Sequence, residues 1–265
     1  MNQHLVESFR DTERYYNENP ALAKSTVESM KRTRVYEVEE YPQIPEHEER
    51  ACSVKVTKVR TTDAAMAAHQ ENPEQKIVML NFASPVSPGG LVLRGSNAQE
   101  ESLCRLTTLY PTLTQPHILE AYYKKNKKLK NGRHTDACIY SPGVVICKEG
   151  AERLPEEAWV PTDVITCAAP SLRHTVIDNG ELFDIHVRRA EHILHIAVAN
   201  NADYVILGAF GCGVYLNDPD VVAPAFYKAV LEYRKHFAGI EFAIFCKGGN
   251  SRNYDAFASW FGKGV

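Results

Sequence analysis

The sequence predicts an α/β protein built as one sandwich, with its strands emptying into loops along a single edge. Three observations carry that prediction. An apolar run, Ile77-Val78-Met79-Leu80, ends at Asn81 and opens into a loop rich in Ser, Pro and Gly, after which Gln99-Glu100-Glu101 start a helix. A second apolar run, Tyr204-Val205-Ile206-Leu207, opens in the same way into the glycine-bearing stretch 208–215 and then a helix. From Cys52 onward strand and helix patterns alternate, the order expected of βαβ units.

Residues 1–32 read as two helices, the second opening at Pro20, a favourable first-turn residue. Residues 38–50, with two prolines and many Glu, read as an exposed loop. Residues 1–50 are therefore an N-terminal helical extension and loop, and 51–265 the main domain, within one compact unit. Alternation over 52–59 marks a half-buried strand, and the Ala-rich segment 62–70 a helix before the Ile77 strand. Behind the Glu pair, Leu103, Leu106 and Leu109 recur at helical spacing. A further helix over about 115–129 ends in Lys124, Lys125, Lys127, Lys128 and Lys130. That run suits the helix dipole and reads first as a solvated helix end, with contact to an acidic polymer as the alternative.

Strands follow at 137–147 and 164–169, separated by a loop with Glu and Pro. Next comes a helix over 181–200 with Leu182, Ile185, Ile193, Ile196 and Ala197 on one face. His192 and His195 lie three apart on it; with no carboxylate motif beside them they read as solvated or hydrogen-bonded histidines and not as metal ligands. A helix over about 219–236, a strand at 242–246, a loop at 247–250 and a helix at 253–261 complete the chain.

Composition narrows the function classes. The 265 residues are 44% hydrophobic and 24% charged, with a formal net charge of −3, so there is material for a core and no global basic field to recruit nucleic acid. No stretch approaches the roughly 20 apolar residues that span a bilayer, and MNQHLVESFRDTERYY is polar rather than a signal peptide. The expectation is a cytoplasmic monomer without membrane contact or direct nucleic-acid readout. The seven cysteines are odd in number and lack a CxxC pair, which predicts buried thiols rather than disulfides or a zinc site.

Glycines let a backbone approach a ligand closely, and free amides at a helix N-terminus favour an anion such as a diphosphate. An acidic pair in a first helical turn can simply complement the dipole. Here it follows a strand and a glycine loop, where open α/β sheets bind ligands, which makes acid chemistry the second reading. No GxGxxG or GxxxxGK[ST] occurs, so neither a dinucleotide fingerprint nor a P-loop applies.

Gly89-Gly90-Leu91, seven residues and Gln99-Glu100-Glu101 are flanked by Asn81-Phe82-Ala83-Ser84 and by Leu103-Cys104-Arg105 and Thr108-Leu109-Tyr110-Pro111. Gly208-Ala209-Phe210-Gly211-Cys212-Gly213-Val214-Tyr215 is followed by Asn217-Asp218-Pro219. In these motifs the chain resembles the macrodomain-type poly(ADP-ribose) glycohydrolases, in particular their compact microbial branch. The resemblance implies a macrodomain-like three-layer α/β/α sandwich with a mixed central sheet. It also implies hydrolysis of ribose–ribose O-glycosidic bonds with release of ADP-ribose, no cofactor and no metal, the partner being ADP-ribose or poly(ADP-ribose) on modified proteins.

Residue by residue, the resemblance makes Glu101 the general acid and Glu100 the holder of the ribose hydroxyls, with Asn81 at the distal ribose. Gly89, Gly90, Leu91 and Gln99 would form the first ligand loop, and Gly208, Gly211, Cys212, Gly213 and Val214 the second. Amides of Gly211 and Gly213 would meet the diphosphate, and Tyr215 would stack near the riboses. A Glu desolvated beside a second carboxylate is expected to keep its proton near neutral pH. Two alternatives stay open: removal of single ADP-ribose units from an acceptor, and binding without cleavage, against which the acid argues.

Leu91 stands where the family has its third glycine. In a left-handed conformation a Leu costs about 1–2 kcal/mol. If the loop keeps the family's path, Leu91 must point away from the diphosphate; the expectation is instead a displaced loop, with a narrowed cleft that disfavours long polymer.

Overall fold

Residues Ile77–Phe82, IVMLNF, form the strand on which the molecule is hung. Successive side chains of a strand point to opposite faces, so Val78 and Leu80 enter one hydrophobic core while Ile77 and Met79 enter another. Burial on both faces is what a central strand of a layered α/β protein requires. The computed structural model describes residues 2–46 and 48–262, the side chain of Lys247 excepted.

The chain opens with α1 (Gln3–Glu18), α2 (Pro20–Arg32) and β1 (Arg34–Tyr36), then β2 (Ser53–Thr57), α3 (Thr61–Glu71) and β3 (Ile77–Phe82). Asn19 caps α2 by accepting from the Leu22 amide, with Pro20 in the first turn as the sequence suggests. After the first glycine loop come α4 (Gln99–Leu106), α5 (Leu109–Leu113), α6 (Pro116–Ile118), a π-helical turn (Leu119–Lys124) and α7 (Lys125–Leu129). Then follow β4 (Cys138–Ile146), the two-residue strands β5 (Lys148–Glu149) and β6 (Glu152–Arg153), β7 (Val160–Cys167) and α8 (Asn179–Ala199). The last elements are β8 (Tyr204–Leu207), α9 (Pro219–Tyr233), β9 (Gly239–Ala243) and α10 (Arg252–Phe261).

Among the described residues the main sheet has seven strands in the order β1-β4-β7-β3-β8-β9-β2. β1, β4 and β7 pair antiparallel, and the pairs from β7 through β3, β8 and β9 to β2 are parallel. One core joins the sheet to α8, α9 and α10 through Ile193, Phe226 and Phe257; the other joins it to α1, α3 and α4 through Phe9, Ala65 and Leu103. This is the three-layer sandwich with a mixed sheet. Because β3 and β8 are parallel neighbours, the two glycine loops leave the sheet side by side.

Several elements differ from the sequence reading. β1 is too short to carry a pattern, and it is held by pairing to β4 across a hundred residues. β9 starts three residues before the expected strand and stops at Ala243. Its central Glu241 hides the pattern: buried, it accepts from Tyr204 Oη at 2.9 Å and Thr57 Oγ1 at 2.5 Å and pairs with Lys55. Gly239 belongs to that strand because a Cβ there would lie 2.4 Å from the Tyr204 ring. The helix expected to run through Leu109 breaks at Thr107, which bridges to Ile146, and Thr108 donates to the Val145 carbonyl.

His192 and His195 are hydrogen-bonded, their Nε2 atoms lying 3.1 and 2.7 Å from the carbonyls of Glu40 and Pro42, and so pin the irregular segment after β1 onto α8. The seven cysteines are free thiols. Among the described residues no helix is long and apolar enough to cross a membrane.

Candidate active site

The site begins where β3 ends. Asn81 pairs in register with Thr166 of β7 and is buried, its Nδ2 donating to Thr166 Oγ1 at 3.1 Å and towards Glu100 Oε1 at 3.4 Å. Its Oδ1 has no hydrogen-bond partner. Gln99 then fastens α4 to the strand end. Its Oε1 accepts from the Phe82 amide at 2.9 Å, while its Nε2 donates to the Leu80 carbonyl at 2.8 Å and to Thr61 Oγ1 at 3.1 Å. The amide of Gln99 is thus spent on the protein, and its effect is to set the first turn of α4 against the open end of β3.

That placement buries both carboxylates. Glu100 Oε2 accepts from the Ser84 amide at 2.7 Å. Burial pushes the Glu100 carboxyl up to about 8, with the Glu101 charge adding to the rise and the hydrogen bonds from Ser84 and Asn81 opposing it. Glu100 therefore holds a proton at neutral pH. Glu101 accepts from two backbone amides, Leu91 at 2.9 Å and Ala98 at 3.0 Å, and the Ala98 bond satisfies a donor that the start of α4 would leave unpaired. Both carboxylates close on Gly90: a Cβ there would lie 2.4 Å from Glu101 Oε1 and 3.0 Å from Glu100 Oε2.

Gly89 and Gly90 adopt φ of +65° and +60°, which glycine reaches at little cost. Leu91 has φ −111° and ψ 32°, so the left-handed strain expected of it is not incurred. The loop meets its left-handed demand one and two residues earlier, and the Leu91 side chain is 51% exposed at the rim.

The second loop, 208–215, follows β8. Gly211 turns at φ +80° with Ala169 and Asn217 close behind it, whereas a Cβ on Gly213 would meet nothing within 4 Å. Among the described residues the amides of Gly211, Gly213, Val214 and Tyr215 make no hydrogen bond, the property of a nest that receives an anion. The half-buried Tyr215 donates to the Ala83 carbonyl at 3.4 Å and so spans from this loop to the end of β3. Cys212 is half-buried, its thiol pushed up by burial, and Val214 is exposed. Gly208 lies tight against Phe82 and the Ala243 carbonyl. The candidate residues on both loops therefore lie at neighbouring strand ends. Among the described residues no group of three or more His, Cys, Asp or Glu could hold a metal ion.

A family model described as microbial-type PARG (poly(ADP-ribose) glycohydrolase), catalytic domain, matches residues 6–149, more than half of the chain. The chain belongs to this family. Its structure is similar to that of the poly(ADP-ribose) glycohydrolase from Thermomonospora curvata, with a TM-score of 0.89 at 27% identity over 98% of this chain and 100% of that one. The same enzyme bound to the inhibitor ADP-HPD matches at a TM-score of 0.84, also at 27% identity and with the same coverage. The poly(ADP-ribose) glycohydrolase from Deinococcus radiodurans in complex with ADP-ribose matches at 0.79 and 29% identity, over 90% of this chain and 97% of that one. Comparison with curated proteins gave no match.

Other residues hold the candidate site of this microbial-type PARG in shape. Asn217 Nδ2 donates to the carbonyls of Pro170, Gly211 and Tyr215 at 2.7, 3.1 and 3.2 Å, drawing them inward and away from the free amides. Its Oδ1 lies 2.8 Å from Nε2 of the fully buried His186, which must donate because Oδ1 can only accept. Burial lowers the His186 imidazole to about 4, so the ring is neutral at pH 7.

On the other side Phe9 of α1 meets the Tyr110 ring edge-on at 4.9 Å, and Tyr110 packs against Gly89. Gly95 lies against the Asn2 carbonyl, and buried Arg105 donates to the Ser96 carbonyl at 2.6 Å and to Asn97 Oδ1 at 2.5 Å. Asn217 and Arg105 lie in the motif stretches, but their spacing names no partner. His186 and Phe9 leave no local signal, since an apolar helix face accommodates either residue.

Proposed function

We propose that this poly(ADP-ribose) glycohydrolase cleaves the ribose–ribose O-glycosidic bond at the Glu100–Glu101 corner, with Glu101 as general acid, and releases ADP-ribose. The observation that carries the assignment is the convergence of two buried carboxylates on Gly90, at the mouth between two glycine loops. A glycosidic bond breaks through an oxocarbenium-like state that needs a proton for the leaving oxygen and negative charge near the sugar.

In this reading Glu101 protonates the departing oxygen as the C–O bond breaks. A water then adds to the ribose carbon and returns its proton to Glu101, so one water is consumed per bond. Glu100 holds the ribose hydroxyls, and Asn81 Oδ1 supplies an acceptor to the distal ribose. The unbonded amides of Gly211, Gly213, Val214 and Tyr215 receive the diphosphate, and the Tyr215 ring flanks the riboses. Gln99 takes a positioning role, because its amide is committed to β3 and α3.

The structures of relatives bound to ADP-HPD and to ADP-ribose support ADP-ribose as the ligand; in this reading it is presented as polymer on modified proteins. The machinery lies within 51–265 of a single chain, which fits a monomer, and α1 of the 1–50 extension braces it.

Incubation of the pure protein with labelled polymer and, separately, with mono-ADP-ribosylated protein tests the reading. Free ADP-ribose from the polymer, with the protein-linked unit left in place, is the expected result. Release only from the protein-linked unit would make the enzyme a mono-ADP-ribosyl hydrolase. Binding with no product from either would make it a reader.

A further inference from the structure

The basic run at the end of α7 divides into two sets. Lys124 pairs with Glu120 and Lys125 with Glu37, so two of its charges are neutralised. Lys127, Lys128 and Lys130 are exposed and, among the described residues, have no acidic partner. Lys130 adopts φ +50° and turns the chain out of α7 towards Gly132. There the Gly132 carbonyl accepts from the Ser171 amide at 2.7 Å, and Thr175 packs on the Gly132 backbone.

This segment after β7 reaches the cleft. The Leu172 amide donates to the Tyr215 carbonyl at 2.9 Å, which sets the next residue, Arg173, close to the rim of the cleft. Arg173 is exposed and likewise unpaired among the described residues. Of the carboxylates on the segments around the end of α7 and the start of α8, Glu181 is engaged with Arg133, Asp136 with Arg188 and Arg189, and Asp178 with the amides that start α8. A line of unneutralised cations thus runs from the rim at Tyr215 to the end of α7, on a chain whose net charge is −3.

Poly(ADP-ribose) carries a diphosphate in every unit, and the units beyond the bond being cut leave the cleft on the ribose side, where Tyr215 sits. We propose that Arg173, Lys130, Lys128 and Lys127 form an anion-binding exosite for the polymer beyond the unit in the cleft. The inference rests on the polymer-hydrolase reading above. The exosite acts through phosphate charge, so it confers preference for long chains without altering the chemistry at Glu101.

Each phosphate neutralised on a single-stranded polyanion contributes a slope of about −0.7 to log affinity against log salt. Four contacts give a slope near −3, or roughly fifty-fold weakening from about 50 to about 200 mM salt. The experiment compares the wild type with a Lys127→Gln/Lys128→Gln/Lys130→Gln variant, measuring kcat/KM on long polymer and on the two-unit oligomer across that salt range. All three lysines are exposed, so the fold is not at risk.

The expected result is a kcat/KM on long polymer reduced about tenfold at low salt and a salt slope shallower by about 2, with the two-unit oligomer changed less than twofold. Arg173→Gln should remove about one further contact. Wild-type salt slope and long-to-short ratio in the triple variant would overturn the exosite while leaving the hydrolase reading intact. So would a change confined to binding of single-stranded RNA of equal charge, which would assign the lysines to nucleic acid. A wild type inert on every polymer would remove both readings together.

Discussion

Glu100 gives the sharpest thermodynamic prediction. Its carboxyl has an ordinary value of 4.5 and is raised to about 8 in the fold, chiefly by burial. A folded-state value above the unfolded one means that the native state binds the proton more tightly. The associated stability is complete below the unfolded value and is lost as pH rises through the folded one, at about 1.4 kcal/mol per pH unit in between.

Between about pH 5 and about pH 8 the wild type should lose roughly 3 kcal/mol through this group, an order-of-magnitude figure, and little more above about pH 9. Glu100→Gln keeps the shape and removes the titration. Urea unfolding of both proteins across that range reads the difference directly, because all other titrations cancel between them. The variant should gain on the wild type by about 3 kcal/mol from the acid to the alkaline end. Parallel curves, with a constant offset, would refute the claim that Glu100 is held protonated by burial.

Three substitutions test the loops. Gly90→Ala puts a methyl 2.4 Å from Glu101 Oε1 at φ +60°, so kcat should fall at least about tenfold, with about 1–2 kcal/mol lost from stability; a normal kcat would show that Gly90 does not set the carboxylates. Asn217→Leu leaves the Pro170 carbonyl and the His186 N–H without their partner and takes one of two donors from each of the Gly211 and Tyr215 carbonyls, so stability should drop by about 3 kcal/mol and calorimetric affinity for ADP-ribose about tenfold; unchanged affinity would detach the second loop from binding. Leu91→Gly relieves no left-handed strain, since φ is −111°, and should leave the ratio of polymer to mono-ADP-ribose hydrolysis unchanged; a raised ratio would restore the narrowed cleft expected from the sequence.

The parts of the site legible in the sequence are those whose chemistry is local. A strand, a glycine loop and a helix start can be recognised within thirty residues, so both loops, Asn81 and the Glu pair come directly from the pattern and from the family motif. What is not legible depends on contacts distant in sequence. Gln99 reads as a ligand residue until its side chain is seen to bond the backbone of β3. His186 matters only because α8 brings it to Asn217, 31 residues away. The contribution of α1 is likewise invisible until Asn2 is found against Gly95 and Phe9 against Tyr110. β9 was displaced in the reading by one buried carboxylate, Glu241, whose partners Lys55, Thr57 and Tyr204 come from other strands. Leu91 shows the limit of a motif in the other direction: the missing glycine is real, but the backbone does not ask for one at that position.

Glu101→Gln tests the assignment of the acid most directly, because the amide is nearly isosteric with the acid but has no proton to give to the departing oxygen. Polymer turnover and calorimetric affinity for ADP-ribose are measured on the variant and the wild type. The expected result is hydrolysis lower by roughly a hundredfold to ten-thousandfold, with affinity kept within a few-fold. Full turnover in Glu101→Gln would contradict Glu101 as the general acid, and with it the mechanism built on the Glu pair.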